Sequence, residues 1–213
     1  MTAQSFEYWK NREIKDNKRD WEAKGENWIQ DYWKSTSHPH RKLITDKMRE
    51  LSPRSVLEVG CNCGPNLYLI KALFSNVSVI GIDANEKAIE IAREKLSGEF
   101  IVGDFTKGLP FEDKSIDVIL SDAVMLYVDK NKIARVVNEL VRVAKKAIIF
   151  VEWYDISEYG KLVNFHWARD YTTLLNHKGW YVVHHKLTHE EWPNTSWEKY
   201  GVMFTAIPRT PTD

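Results

Sequence analysis

The sequence predicts an α/β fold built on a parallel sheet, and three observations predict it. Residues 56–59, 77–83 and 100–105 are short apolar runs rich in Val and Ile, separated by turn residues and helix-compatible stretches. Each run carries an acid at or near its end: Glu58, Asp83 and Asp104. The first run passes directly into Gly60-Cys61-Asn62-Cys63-Gly64, a turn whose glycines permit tight or crowded backbone beside a ligand.

The elements follow in order. Val56, Leu57 and Val59 suit a buried parallel strand, and residues 67–73 belong to the helix after the turn. Residues 77–83 form the second strand, residues 88–95 a helix, and residues 100–105 a short third strand. A polar connection, residues 109–115, leads to a fourth strand at 116–120, with Ser121 and Asp122 just beyond its end. Residues 130–143 have a helical apolar pattern at Ile133, Val136, Val137 and Leu140, and a strand at 147–151 then ends in Glu152-Trp153. A helix is expected over 165–176, followed by two strands at 180–187 and 200–207.

The turn gives poor support to two common nucleotide sites. Asn62 stands where a G-x-G-x-x-G dinucleotide turn needs glycine, and no G-K-[ST] follows as in a nucleoside-triphosphate loop. A strand-terminal carboxylate such as Asp83 is suited to a vicinal diol, since it can accept two hydrogen bonds.

The ordered set Glu58-Val59-Gly60-Cys61-Asn62-Cys63-Gly64, Gly81-Ile82-Asp83 and Gly103-Asp104-Phe105 resembles the class I S-adenosylmethionine-dependent methyltransferases, in particular their broad small-molecule group, over residues 52–207. The resemblance implies a Rossmann-like seven-stranded sheet with helices on both faces and a C-terminal antiparallel hairpin, preceded here by an N-terminal helical cap. It implies S-adenosylmethionine as methyl donor. Gly60, Cys61, Asn62 and Gly64 would line its methionine side, Glu58 would organise the turn and the amino end, Asp83 with Ala84 would hold the ribose, Asp104 and Phe105 would address the adenine, and Ser121 would face the donor from the fourth strand. The family commonly has glycine where this chain has Asn62, a residue that tolerates left-handed backbone better than most.

On the acceptor side, Asp122 is the first carboxylate past an apolar strand end and a candidate for the acceptor pocket; an Asx turn or helix cap is the competing role. Glu152 beside Trp153 would suit a cationic amine, or would only pair at the sheet edge. His38 or His40, in His38-Pro39-His40-Arg41, would serve as a base if within reach of a hydroxyl acceptor. The pair of acids and the aromatic residues tilt the expectation slightly toward an amine acceptor, attacked in line at the methyl carbon.

Length is compatible with one catalytic unit, residues 51–213, behind a cap at 1–50. Four of the nine tryptophans precede residue 34, which argues against a fully disordered segment. The chain balances 30 basic against 30 acidic residues, so charge gives no support for a large nucleic-acid surface. Cys61 and Cys63 cannot alone complete a tetrahedral zinc site, nor are they spaced as C-x-x-C, so no metal centre is expected. No secretory core or long apolar span is visible, which leads to a cytoplasmic expectation without membrane contact. The oligomeric state is not legible. A methyltransferase for RNA or protein, and a non-catalytic scaffold of the same fold, are the alternatives.

Overall fold

A computed structural model describes residues 6–12, 32–163, 166–193 and 195–209. A short helix α1 (Phe6–Lys10) precedes α2 (Pro39–Leu51); then come β1 (Ser55–Val59), α3 (Pro65–Leu73), β2 (Ser78–Asp83), α4 (Glu86–Lys95), β3 (Glu99–Val102), β4 (Ile116–Asp122), α5 (Ile133–Val143) and β5 (Ala144–Trp153). The chain continues through β6 (Leu162–Val163), β7 (His166–Trp167), α6 (Tyr171–Asn176), β8 (Trp180–Lys186), α7 (Trp197–Tyr200) and β9 (Gly201–Pro208).

Seven strands form one sheet in the order β3-β2-β1-β4-β5-β9-β8, and β6 with β7 forms a separate two-stranded ribbon. The first five strands are parallel, while β9 runs antiparallel between β5 and β8. This is the Rossmann-like arrangement the sequence predicts, with the terminal hairpin at one edge.

The two-residue period of the strands divides the core between the faces. Leu57, Val59, Ile82, Ile119, Ile148 and Phe150 pack with Val136, Val137 and Leu140 of α5 and with Tyr171 and Leu175 of α6. Val56, Val79, Val118, Leu120, Ile149 and Val151 pack with Ile44 and Met48 of α2, Leu67 and Ile70 of α3, and Ile89 and Ala92 of α4. With both faces covered, the central strands read as continuous apolar runs. Strand order reverses between β1 and β4, so a crevice opens at their carboxyl ends, the position where open α/β sheets bind ligands.

Several expected bounds are corrected; β4 runs on through Ser121 and Asp122, which were expected just beyond its end. The helix expected over 165–176 begins only at Tyr171, because the Asp170 side chain caps it by accepting from the Thr173 N–H; His166 and Trp167 instead pair with Leu162 and Val163. The third strand ends at Val102, and the Asp104 side chain turns the chain by accepting from the Thr106 N–H at 3.0 Å. Trp21, Trp28 and Phe165 lie outside the described residues. Among the described residues, no helix is long and apolar enough to cross a membrane.

Candidate active site

The turn after β1 runs through left-handed backbone at Gly60 (φ 72°), Asn62 (φ 51°) and Gly64 (φ 82°). A methyl carbon on Gly60 would lie 2.5 Å from the Val124 side chain, so a side chain there would force Val124 to move as well as strain the backbone. Asn62 takes the left-handed position by accepting the Cys63 N–H on its own Oδ1 at 2.7 Å, a local bond that glycine cannot make. Its backbone N–H donates to Asp83 Oδ2 at 2.8 Å, and the Asn85 N–H donates to Asp83 Oδ1 at 2.9 Å. Asp83 is thereby locked at the end of β2 by backbone donors, with acceptor capacity left over. Burial raises its pKa, against the pull of these N–H donors.

A cavity of about 740 Å³ opens over these strand ends. Gly60, Asn62, Asp83, Ala84, Asp104 and Phe105 line it, as do His38, His40 and Asp122. Glu58, Cys61, Gly64, Ser121 and Glu152 do not. Cys61 and Cys63 are buried free thiols, and burial pushes the Cys63 thiol up to about 12, so neither is a ready nucleophile.

Glu152 is committed elsewhere. Its Oε1 accepts from Ser121 Oγ and from the Val124 and Met125 N–H groups at 2.8–3.0 Å, and its Oε2 accepts from the Leu126 N–H at 3.1 Å. It folds the turn at residues 124–127 from beneath, rather than walling the cavity against a cation. Burial pushes its carboxyl up to about 7 despite these donors.

Beside Asp122 lies a buried polar network. Asp122 Oδ2 accepts from His40 Nε2 at 2.9 Å, Asn66 Nδ2 at 3.0 Å and Arg41 Nη1 at 3.3 Å. Arg41 also donates to Asn66 Oδ1 at 2.6 Å and to the carbonyl and hydroxyl of Ser35, both at 2.8 Å; Asn66 donates to Glu58 Oε1 at 2.7 Å. Burial opposes ionisation of Asp122, but His40, Arg41 and Asn66 together hold its carboxyl well below the ordinary carboxylate range. Glu58, with only Asn66 on Oε1 and no partner on Oε2 among the described residues, is pushed up by burial to about 8.

The network continues into aromatic rings. His40 Nδ1 lies 2.5 Å from His38 Nδ1, and the His40 ring stacks on Trp192 at 4.2 Å, which itself stacks on Trp197 at 4.4 Å. Both tryptophans line the cavity. Across it, the Asn85 side chain donates to the carbonyls of Trp9 and Arg12, and the Trp9 ring meets Tyr127 at 5.1 Å, which seats the N-terminal segment over the β2 end. Of the residues expected on the donor side, Gly60, Asn62, Asp83, Ala84, Asp104 and Phe105 line the cavity, while sequence reasoning missed Asn66, Trp192, Trp197 and Asn85. The only signal for Asn66 was its position two residues after Gly64, and Trp192 carried none.

Comparison with known proteins agrees with this architecture. Residues 56–147 match the model of a methyltransferase domain. The demethylmenaquinone methyltransferase of Thermotoga maritima is 38% identical over 80 residues, 37% of this chain and 34% of that protein. The tRNA N(3)-methylcytidine methyltransferase Mettl2 of Drosophila melanogaster is 27% identical over 141 residues, 60% of this chain and 43% of that one. The chain thus spans less than half the length of these curated relatives. Among solved structures, the magnesium protoporphyrin IX methyltransferase of Synechocystis, with S-adenosylmethionine bound, superposes with a TM-score of 0.64 at 13% identity, over 91% of this chain and 86% of that chain. A putative methyltransferase of Haloferax volcanii in complex with the Trm112 activator gives 0.63 at 18% identity, over 85% and 96%. Sheet order, strand-end crevice and domain match define the class: the chain is built on the class I S-adenosylmethionine-dependent methyltransferase fold.

Proposed function

We propose that this protein transfers the methyl group of S-adenosylmethionine to a small molecule. The observation that carries this reading is the left-handed turn at Gly60 and Asn62 locked to Asp83 at the mouth of a cavity over the β1, β2 and β4 ends. The residues fit such a donor. Asp83 retains acceptor capacity for the two ribose hydroxyls, Phe105 offers a flat face to a purine, Asp104 sits beside it, and the backbone of the turn permits close approach. Glu58 and Ser121, buried beneath, act through Asn66 and Glu152 rather than by direct contact. When bound, the donor supplies an electrophilic methyl carbon on a sulfonium. The protein's contribution is alignment of the acceptor and exclusion of water, with the N-terminal segment as a cover.

The acceptor end is the space bounded by His38, His40, Asp122, Trp192 and Trp197. Glu152 is saturated by its donors and Asp122 Oδ2 is engaged by Arg41, His40 and Asn66, so of these two acids only Asp122 Oδ1, without a partner among the described residues, is left to meet a cationic amine. The paired tryptophans suit a planar molecule. An RNA acceptor is the second reading, favoured by the similarity over 141 residues to a tRNA methyltransferase.

The test is transfer of isotope-labelled methyl from S-adenosylmethionine to planar hydroxy and amino compounds, with transfer RNA in parallel. Labelled small-molecule product supports the proposal. Label in RNA alone moves the second reading to the front, and donor binding without transfer to any acceptor points to a scaffold.

A further inference from the structure

Resting on that reading, the turn between β4 and α5 carries the argument further. Ala123 opens it in left-handed backbone (φ 57°) and lines the cavity; a residue with a side chain keeps that conformation only where its surroundings fix it. Two buried side chains of opposite charge do so. Glu152 accepts from the N–H groups of Val124, Met125 and Leu126, and Arg169 serves the carbonyls: its Nη1 donates to the Met125 carbonyl at 2.5 Å and its Nη2 to the Val128 carbonyl. A guanidinium suits this task, because its planar fork holds two acceptors at once.

Arg169 is 6% exposed and does not line the cavity. The β6–β7 ribbon delivers it. Ala168, its neighbour, donates its N–H to the Lys161 carbonyl at 3.1 Å and accepts from the Gly160 N–H at 3.0 Å, while the Trp167 ring centroid lies 5.9 Å from the guanidinium carbon. Glu152, Asp129 and Tyr171 are the ionisable groups beside it. From this anchor the turn reaches the donor side twice. The Val124 side chain fills the space that a Cβ on Gly60 would need, and the Tyr127 ring meets Trp9, whose carbonyl is held by Asn85 next to Asp83.

We infer that Arg169 is a positioning residue for the methyl donor: with Glu152 it fixes residues 124–128, and thereby the separation between that turn and the Gly60 turn across the crevice in which S-adenosylmethionine binds. The two-stranded ribbon, set apart from the main sheet, serves the site by delivering this side chain. A residue that touches no ligand then controls affinity for one, because the wall it holds is part of the cavity.

The experiment measures S-adenosylhomocysteine affinity by calorimetry, together with Tm, for the full-length wild type, Arg169→Met and Arg169→Lys. Arg169→Met, which removes every donor to the two carbonyls, is expected to weaken binding by about tenfold. Arg169→Lys, which restores a charged donor without the fork, is expected to weaken it by only about threefold. A folded Arg169→Met that binds as tightly as the wild type, with only its Tm lowered, makes the arginine a stabiliser and overturns the inference, as does a loss that lysine does not recover. If Arg169→Met does not fold, Arg169→Lys decides by hydrogen exchange. Its amides at 124–126 are expected to exchange about fivefold faster than in the wild type while those of β1 keep their rate; unchanged exchange at 124–126, or unchanged affinity, overturns the inference. A folded wild type that takes up no S-adenosylhomocysteine counts against the methyltransferase reading instead, which separates the two failures.

Discussion

Asn62 and Glu58 explain how single residues set this site. Asn62 adopts left-handed backbone and secures it with its own side chain on the Cys63 N–H. Its capacity for left-handed backbone was legible in the residue type alone. Glu58 has a different consequence. Burial pushes its carboxyl up to about 8, so between an ordinary carboxyl pKa of about 4.3 and that value the folded chain holds a proton that the unfolded chain releases. Its contribution to stability is present below the ordinary value and is lost as pH rises through about 8; Glu152, pushed up to about 7, acts in the same direction. Scanning calorimetry of the ligand-free protein is therefore expected to give a Tm that falls between about pH 5 and about pH 8. Glu58→Gln, which keeps the acceptor for Asn66, is expected to flatten that fall. An unchanged slope in the variant would contradict the assignment.

At the scale of elements, the turn at residues 124–127 depends on Glu152 at the end of β5. The buried Met125 and Leu126 N–H groups, the part-buried Val124 N–H and the Ser121 hydroxyl share that one carboxylate. Glu152→Ala is expected to cost about 3–5 kcal/mol in urea unfolding, because several buried donors lose their acceptor together; a cost under about 1 kcal/mol would show that water or neighbours replace it. Gly60→Ala, which forces a side chain into left-handed backbone against Val124, is expected to cost about 1–3 kcal/mol. Apolar runs identified the central strands because both sheet faces are covered. The pattern misled at 165–176, where apolar and aromatic residues span a short strand pair and a helix alike, and only the Asp170 cap marks the boundary. The helix at 130–143 was likewise read too long, because α5 starts at Ile133, after a turn in which the Lys132 and Ile133 N–H groups both donate to the Asp129 carbonyl.

Over the whole molecule, the donor side was legible because its residues fall within a few positions of three successive strand ends. On the acceptor side, His38, His40 and Asp122 were named singly, but their meeting with one another and with Trp192 was not legible. His40 and Asp122 are 82 positions apart, and Trp192 reaches the same place from a connection after β8, so only tertiary packing unites them. The N-terminal segment closes the other end through the bonds from Asn85 to Trp9 and Arg12. Removal of residues 1–12 is expected to speed donor dissociation by about tenfold in stopped-flow measurements, since a lost cover raises the off-rate more than it alters the on-rate; an unchanged off-rate would assign the segment a purely structural role. All of this rests on a donor seated on Asp83. The most direct test is calorimetric titration of S-adenosylhomocysteine into the wild type and Asp83→Asn, with Tm checked for both. Binding at one site, weakened at least about tenfold in the variant while the fold persists, is the predicted result. A folded wild type that takes up no ligand, or a variant of equal affinity, would contradict it.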